Sequence, residues 1–218
     1  MNSIFHYVLL AFIPVILLKQ FLFRKWCFLD SEEAMHILVS VVTISIAFAI
    51  LLSGSTDFSP HFATVFVEVF LTLGLGFILH ELAHKFVAQS YGAWAQYRMW
   101  TPGLILAVAM AVFNVGFVFA APGAVQIYGP HVSKDKIGRI AFAGPMTNLL
   151  LALIFLGAGA LAPGIRDFAL TGAHVNAFLG AFNLIPIAPF DGEKVLSWSS
   201  RAWGALAIVF LFLLFGVL

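Results

Sequence analysis

The fold is decided by residues 77–89, Phe77-Ile78-Leu79-His80-Glu81-Leu82-Ala83-His84-Lys85-Phe86-Val87-Ala88-Gln89, where HExxH stands inside an otherwise lipid-like run. On a helix, residues four apart lie one above the other, so the imidazoles of His80 and His84 can grip one cation with Glu81 beside it. Neutral imidazole nitrogens suit Zn²⁺, and a catalytic zinc keeps one position open. Glu81 is then placed to take the proton of a water attacking a carbonyl. Ionisable groups in hydrocarbon cost on the order of 2.5–3.5 kcal/mol each on the lenient insertion scale. Three in five consecutive positions call for a compensating partner, which a metal supplies.

The rest of the composition agrees with a membrane setting. Of 218 residues, 62% are hydrophobic and 10% charged, which excludes an ordinary soluble domain. The net charge of +1 comes without a basic tract, which argues against nucleic acid as a partner. The single cysteine, Cys27, excludes an internal disulfide and a CxxC metal site. Apolar runs near the ~20 residues needed to span fall at 3–22, 34–53, 62–90, 138–162, 173–190 and 202–218. The first is expected to be a membrane helix rather than a cleavable signal, since no basic residues precede it.

A seventh run, 103–121, is punctuated differently, by Pro102-Gly103, Asn114-Val115-Gly116 and Pro122-Gly123. If it returns to the side it left, Lys19, Arg24, Lys25, Lys85, Arg98, Lys134, Lys136, Arg139, Lys194 and Arg201 share the cytoplasmic side and only Arg166 faces out. The expectation is therefore an all-α polytopic membrane protein of about six transmembrane helices, with a re-entrant or membrane-embedded segment near 94–127. Seven full spans is the rival arrangement. From residue 62 to His80 is about 27 Å of helix at 1.5 Å per residue, which puts the histidines near the cytoplasmic face of a core about 30 Å thick.

Catalytic zinc needs a third protein ligand. After Glu81 the acids are Asp135, Asp167, Asp191 and Glu193, with His131 and His174 as further donors. No histidine follows at the spacing of the soluble zincins. Asp135 reads as a surface charge within Ser133-Lys134-Asp135-Lys136, while Asp167 and His174 fall at the outer end. Asp191 remains, closing Asn183-Leu184-Ile185-Pro186-Ile187-Ala188-Pro189-Phe190-Asp191-Gly192 at the depth of the histidines. Pro186 and Pro189 break the helix there, and irregular backbone at membrane depth is tolerated where it is buried in protein or lines a cavity. Gly192 is expected to let the chain turn.

HELAH, then Gly144-Pro145-Met146-Thr147-Asn148, then NLIPIAPFDG resemble, in that order, the HExxH, GPxxN and NxxPxxPxDG signatures of the site-2 protease family of intramembrane zinc metalloproteases. The resemblance covers roughly residues 62–200. It implies zinc held by His80, His84 and Asp191, with Glu81 as the base, in an enzyme that cleaves a transmembrane helix of a membrane protein substrate within the lipid bilayer. Asn183 is expected to serve a developing oxyanion. Asn148 is open between a supporting and a substrate-contacting role, and Pro145 reads as a first-turn helix proline. The organisation expected is 1–61 with two N-terminal helices, 62–200 as the protease core and 201–218 as a last helix, in the cell membrane. The other functional class is a divalent-metal transporter or sensor using the same ligands without hydrolysis.

Overall fold

A computed structural model describes residues 29–119, 121–128 and 133–217. The first expected span, 3–22, lies outside the described residues. Helix α1 (Ser31–Ser53) starts where Asp30 accepts the N–H of Glu33 at 2.7 Å, and it ends at Gly54, whose φ of 66° is a left-handed cap. Ser59 caps the next helix, α2 (Pro60–Val69), with Pro60 in its first turn. A π-helical turn (Phe70–Gly74) then leads without a break into α3 (Leu75–Ser90), which carries HELAH.

Beyond α3 the chain forms β1 (Trp94–Met99), α4 (Thr101–Val112) and β2 (Gly123–Tyr128). The strands pair antiparallel, Trp94 with Tyr128 through Met99 with Gly123. Trp100 N–H donates to Pro122 O at 2.9 Å, so the excursion of residues 101–121 closes on its own starting point. Twelve helical residues reach about 18 Å, short of a bilayer core, so α4 is not a span. It ends at Asn114 (φ 49°) and Gly116 (φ 88°), the turn that the Asn-Val-Gly punctuation suggests.

Helix α5 (Lys134–Leu161) follows Ser133 as N-cap, then a 3₁₀ turn (Pro163–Ile165), α6 (Arg166–Asn183), α7 (Asp191–Trp198) and α8 (Ser200–Phe212), which runs into a π turn (Leu213–Val217). A core of Leu149, Ala152, Ala177, Leu184, Leu206, Phe210 and Leu213 locks α5, α6 and α8 together. Trp203 Nε1–H donates to Leu184 O at 2.8 Å, satisfying a carbonyl that the proline-broken stretch after α6 frees.

The distribution of polarity is inverted relative to a soluble protein. Leu150, Leu153, Ile154, Ile208 and Phe212 face outward, while His80, Glu81, Lys85, Asn148 and Asn176 are buried. Among the described residues, Ser31–Ser53, Pro60–Ser90, Lys134–Leu161 and Ser200–Val217 are long and apolar enough to cross a membrane. The protein is thus a multi-pass membrane protein, mostly helical. The fifth expected run, 173–190, differs. Its helix is Arg166–Asn183, stopping three residues before Pro186, and Arg166, Asp167, His174 and Asn176 thin its apolar character. Pro145 also differs from expectation. Helix α5 begins at Lys134, ahead of the apolar run, so Pro145 stands well inside it, where it has no N–H for Ala141 O.

Candidate active site

His80 and His84 stand on the buried face of α3, one turn apart, with rings 4.6 Å apart and near perpendicular. Each Nδ1 is already engaged. His80 Nδ1–H donates to Asn148 Oδ1 at 2.6 Å, and His84 Nδ1–H donates to Ile140 O at 2.7 Å. Both partners come from α5, the second from next to the Ala141 carbonyl whose rung Pro145 removes. With their protons spent on Nδ1, neutral imidazoles present only a lone pair at Nε2.

Those two lone pairs converge on Asp191 Oδ2, which lies 3.1 Å from His80 Nε2 and 3.0 Å from His84 Nε2. Three acceptors at this separation repel one another unless something positive stands among them. Bond lengths of 2.0–2.2 Å to a tetrahedral zinc put ligand atoms ~3.3 Å apart, close to these spacings. Helix α5 also leaves room for an ion. A Cβ built on Gly144 would lie 2.5 Å from both His80 Nε2 and His84 Nε2, so glycine alone keeps that space open. The residues present therefore fit a zinc ion, which His80, His84 and Asp191 could hold.

Asp191 reaches this point because the chain breaks after α6 and re-enters a helix at the aspartate itself. A carboxylate in the first turn sits well against the helix N-terminus. Gly192 serves here by close approach rather than by an unusual φ, since a Cβ there would lie 2.0 Å from Leu184 O. Lys194 Nζ stands 3.8 Å from the other oxygen, Oδ1.

Glu81 shares the cluster, with ligand atoms of His80, Glu81 and His84 all within 4.8 Å of one another. One of its oxygens, Oε2, accepts the backbone N–H of Val125 at 3.0 Å, so β2 lies directly over the carboxylate. Asn183 lies at the end of α6, where its Nδ2 donates to Leu179 O at 3.0 Å within its own helix.

Asn176 was not among the expected site residues. Its Oδ1 accepts from Asn148 Nδ2 at 3.1 Å, and Asn148 Nδ2 also donates to Gly76 O at 3.2 Å. These two bonds fix which way the Asn148 amide faces, and so which nitrogen of His80 carries the proton. A Cβ on Gly76 would sit 2.4 Å from Asn176 Oδ1, which explains glycine there. A single asparagine in an apolar run is the signal that could have found Asn176. Asn148 acts as a support for His80, so Asn148→Leu is expected to weaken zinc binding about 10–100-fold, as loss of such outer partners does elsewhere. Competition with a chromogenic chelator measures this, and Asn148→Asp, which keeps an acceptor, should lose less.

No protein-family model matches the chain. Among curated proteins, "Putative zinc metalloprotease MJ0611" of Methanocaldococcus jannaschii is 39% identical over 186 residues, covering 82% of this chain and 91% of its own length. "Zinc metalloprotease MJ0392" of the same organism is 26% identical over 179 residues, 73% of this chain and 44% of its own. A solved structure, "Site-2 Protease from Methanocaldococcus jannaschii", aligns with 20% identity and a TM-score of 0.42 over 80% of this chain and 86% of that one. With a relative this similar along most of both chains, and a histidine pair built to take a metal, the chain belongs to the site-2 protease family of zinc metalloproteases.

Proposed function

We propose that this zinc metalloprotease hydrolyses peptide bonds within transmembrane segments of other membrane proteins, with His80, His84 and Asp191 as zinc ligands and Glu81 as the catalytic base. The observation that carries this reading is that Asp191 Oδ2 lies within 3.1 Å of both His80 Nε2 and His84 Nε2, inside a protein whose outer face is apolar. When bound, zinc supplies the positive charge that acidifies water and polarises the scissile carbonyl. Glu81 takes the proton of the attacking water and hands it to the departing amine. Asn148 and Ile140 O hold the imidazoles in the tautomer that leaves Nε2 free. Asn183 is the donor we assign to the developing oxyanion, its Nδ2 turning away from Leu179 O when substrate is present.

A substrate helix hides its carbonyls in its own hydrogen bonds, so it must unwind first. The outer edge of β2, with Val125 N–H at Glu81, offers an extended template for such a segment. We place the site near the cytoplasmic face of the cell membrane, on the distribution of lysine and arginine. Metal transport without hydrolysis is not favoured, because the relatives are named for proteolysis. The test uses the purified full chain in liposomes with a labelled transmembrane peptide. Cleavage mapped inside the apolar segment, abolished by a zinc chelator and restored by added Zn²⁺, is expected. Cleavage confined to soluble tails would overturn the intramembrane reading.

A further inference from the structure

One buried ion pair plays no part in the chemistry above. Lys85 directly follows His84, and its Nζ donates to Glu33 Oε2 on the first turn of α1; both side chains are 0% exposed. Lysine at this position reads in the sequence as a charge at the cytoplasmic end of a span, yet the structure turns it inward. Exchanging a buried pair for apolar residues is often neutral or stabilising, so such a pair is weak evidence for stability and better evidence for fixed geometry.

That geometry is a closed circuit. The other oxygen of Glu33, Oε1, accepts the backbone N–H of Tyr97 on β1 at 2.8 Å. Tyr97 is paired across the sheet with Val125. Both N–H groups therefore point away from the ladder, as in a non-hydrogen-bonded antiparallel pair. Val125 N–H ends on Glu81 Oε2 at 3.0 Å, and Glu81 lies one turn before Lys85 on the same helix. Tyr97 OH donates to Ser40 Oγ at 2.9 Å, and Ser40 Oγ–H donates to Pro122 O at 3.3 Å, so α1 grips the sheet a second time. A two-stranded sheet is marginal by itself and takes its position from what clamps it.

We propose that Glu33 and Lys85 are positioning residues for the protease reaction: their ion pair seats the β1–β2 sheet on the catalytic helix and so sets the orientation of the Glu81 carboxylate. This rests on Glu81 being the base. It makes α1 a working part of the active site rather than an added anchor. The pair acts through Tyr97 and Val125 and does not touch substrate.

The test compares wild type with Glu33→Leu, Lys85→Met and the double variant, as full chains in nanodiscs; leucine, unlike glutamine, leaves no acceptor for Tyr97 N–H. Three readouts are taken: hydrogen exchange of residues 94–99 and 123–128, zinc content, and kcat against KM for a transmembrane peptide. Each single variant strands a buried polar or charged partner and can lose its fold; the double variant leaves no lone charge. The double variant is expected to keep its zinc and its exchange protection in α3 and α5. Its two strands exchange faster, and kcat falls about 10–100-fold with little change in KM, the size expected of a misplaced catalytic group. Wild-type exchange in the strands together with wild-type kcat would overturn the proposal. So would loss of zinc in step with loss of protection throughout, which marks general support of the fold. A wild type that cleaves no peptide defeats the proteolytic reading instead, and the strand exchange at constant zinc still decides whether the pair seats the sheet.

Discussion

Glu81→Gln is expected to retain a full complement of zinc while kcat for a transmembrane peptide falls by about 10²–10⁴-fold, the usual contribution of a general base. Glutamine has nearly the same shape, and its carbonyl oxygen can still accept the N–H of Val125, so the sheet stays seated. What it lacks is a site for the proton of the attacking water. His80, His84 and Asp191 are untouched, as are Asn148 and Ile140 O behind the imidazoles. Zinc analysis and cleavage are measured on the same preparation. Retained cleavage would remove Glu81 from the mechanism. Loss of zinc along with cleavage would place Glu81 among the ligands, an arrangement its position within 4.8 Å of both histidines makes worth separating.

Much of this site is legible in the sequence. HELAH combines helical spacing with metal chemistry, and its helix runs Pro60–Ser90 where the apolar run suggests 62–90, because Ser59 and Pro60 are start signals that hydropathy alone does not read. Eliminating the other acids in the sequence leaves Asp191, whose Oδ2 stands 3.1 and 3.0 Å from the two imidazoles. The excursion at 101–121 was marked by its Pro-Gly pairs, and its closure through Trp100 and Pro122 gives that punctuation a physical meaning.

Other features escaped because their partners are remote in sequence. Glu33 and Lys85 are 52 residues apart, and each alone resembles a solvated charge near a helix end. Asn176 meets Asn148 across 28 residues, and its one local mark, a lone asparagine in an apolar run, does not say which partner it meets. The charged turn Lys134–Arg139 hides the start of α5, which Ser133 caps well before the apolar run begins, so hydropathy alone puts Pro145 nearer the helix start than it is. The fifth apolar run reaches further towards Asp191 than its helix does, since apolar residues continue past Asn183 although the prolines do not let the helix follow.

Asp191→Ala carries the other large effect. The aspartate supplies the only oxygen that stands 3.0–3.1 Å from both Nε2 atoms among the described residues, and alanine would leave two imidazoles, one protein ligand short of a catalytic zinc site. Zinc affinity should then drop far beyond the 10–100-fold expected of Asn148→Leu, since the proposed ligand itself rather than a support is removed. The fold should survive, because Leu184, Leu206 and Phe210 hold the neighbouring segments without it.

The most direct measurement is zinc content, by elemental analysis, of the purified wild-type protein and of Asp191→Ala after equal dialysis. Stoichiometric zinc in the wild type and its loss from a folded Asp191→Ala is the result expected if helix α3 and the proline-broken segment before α7 share one ion. Equal zinc in both proteins would contradict it.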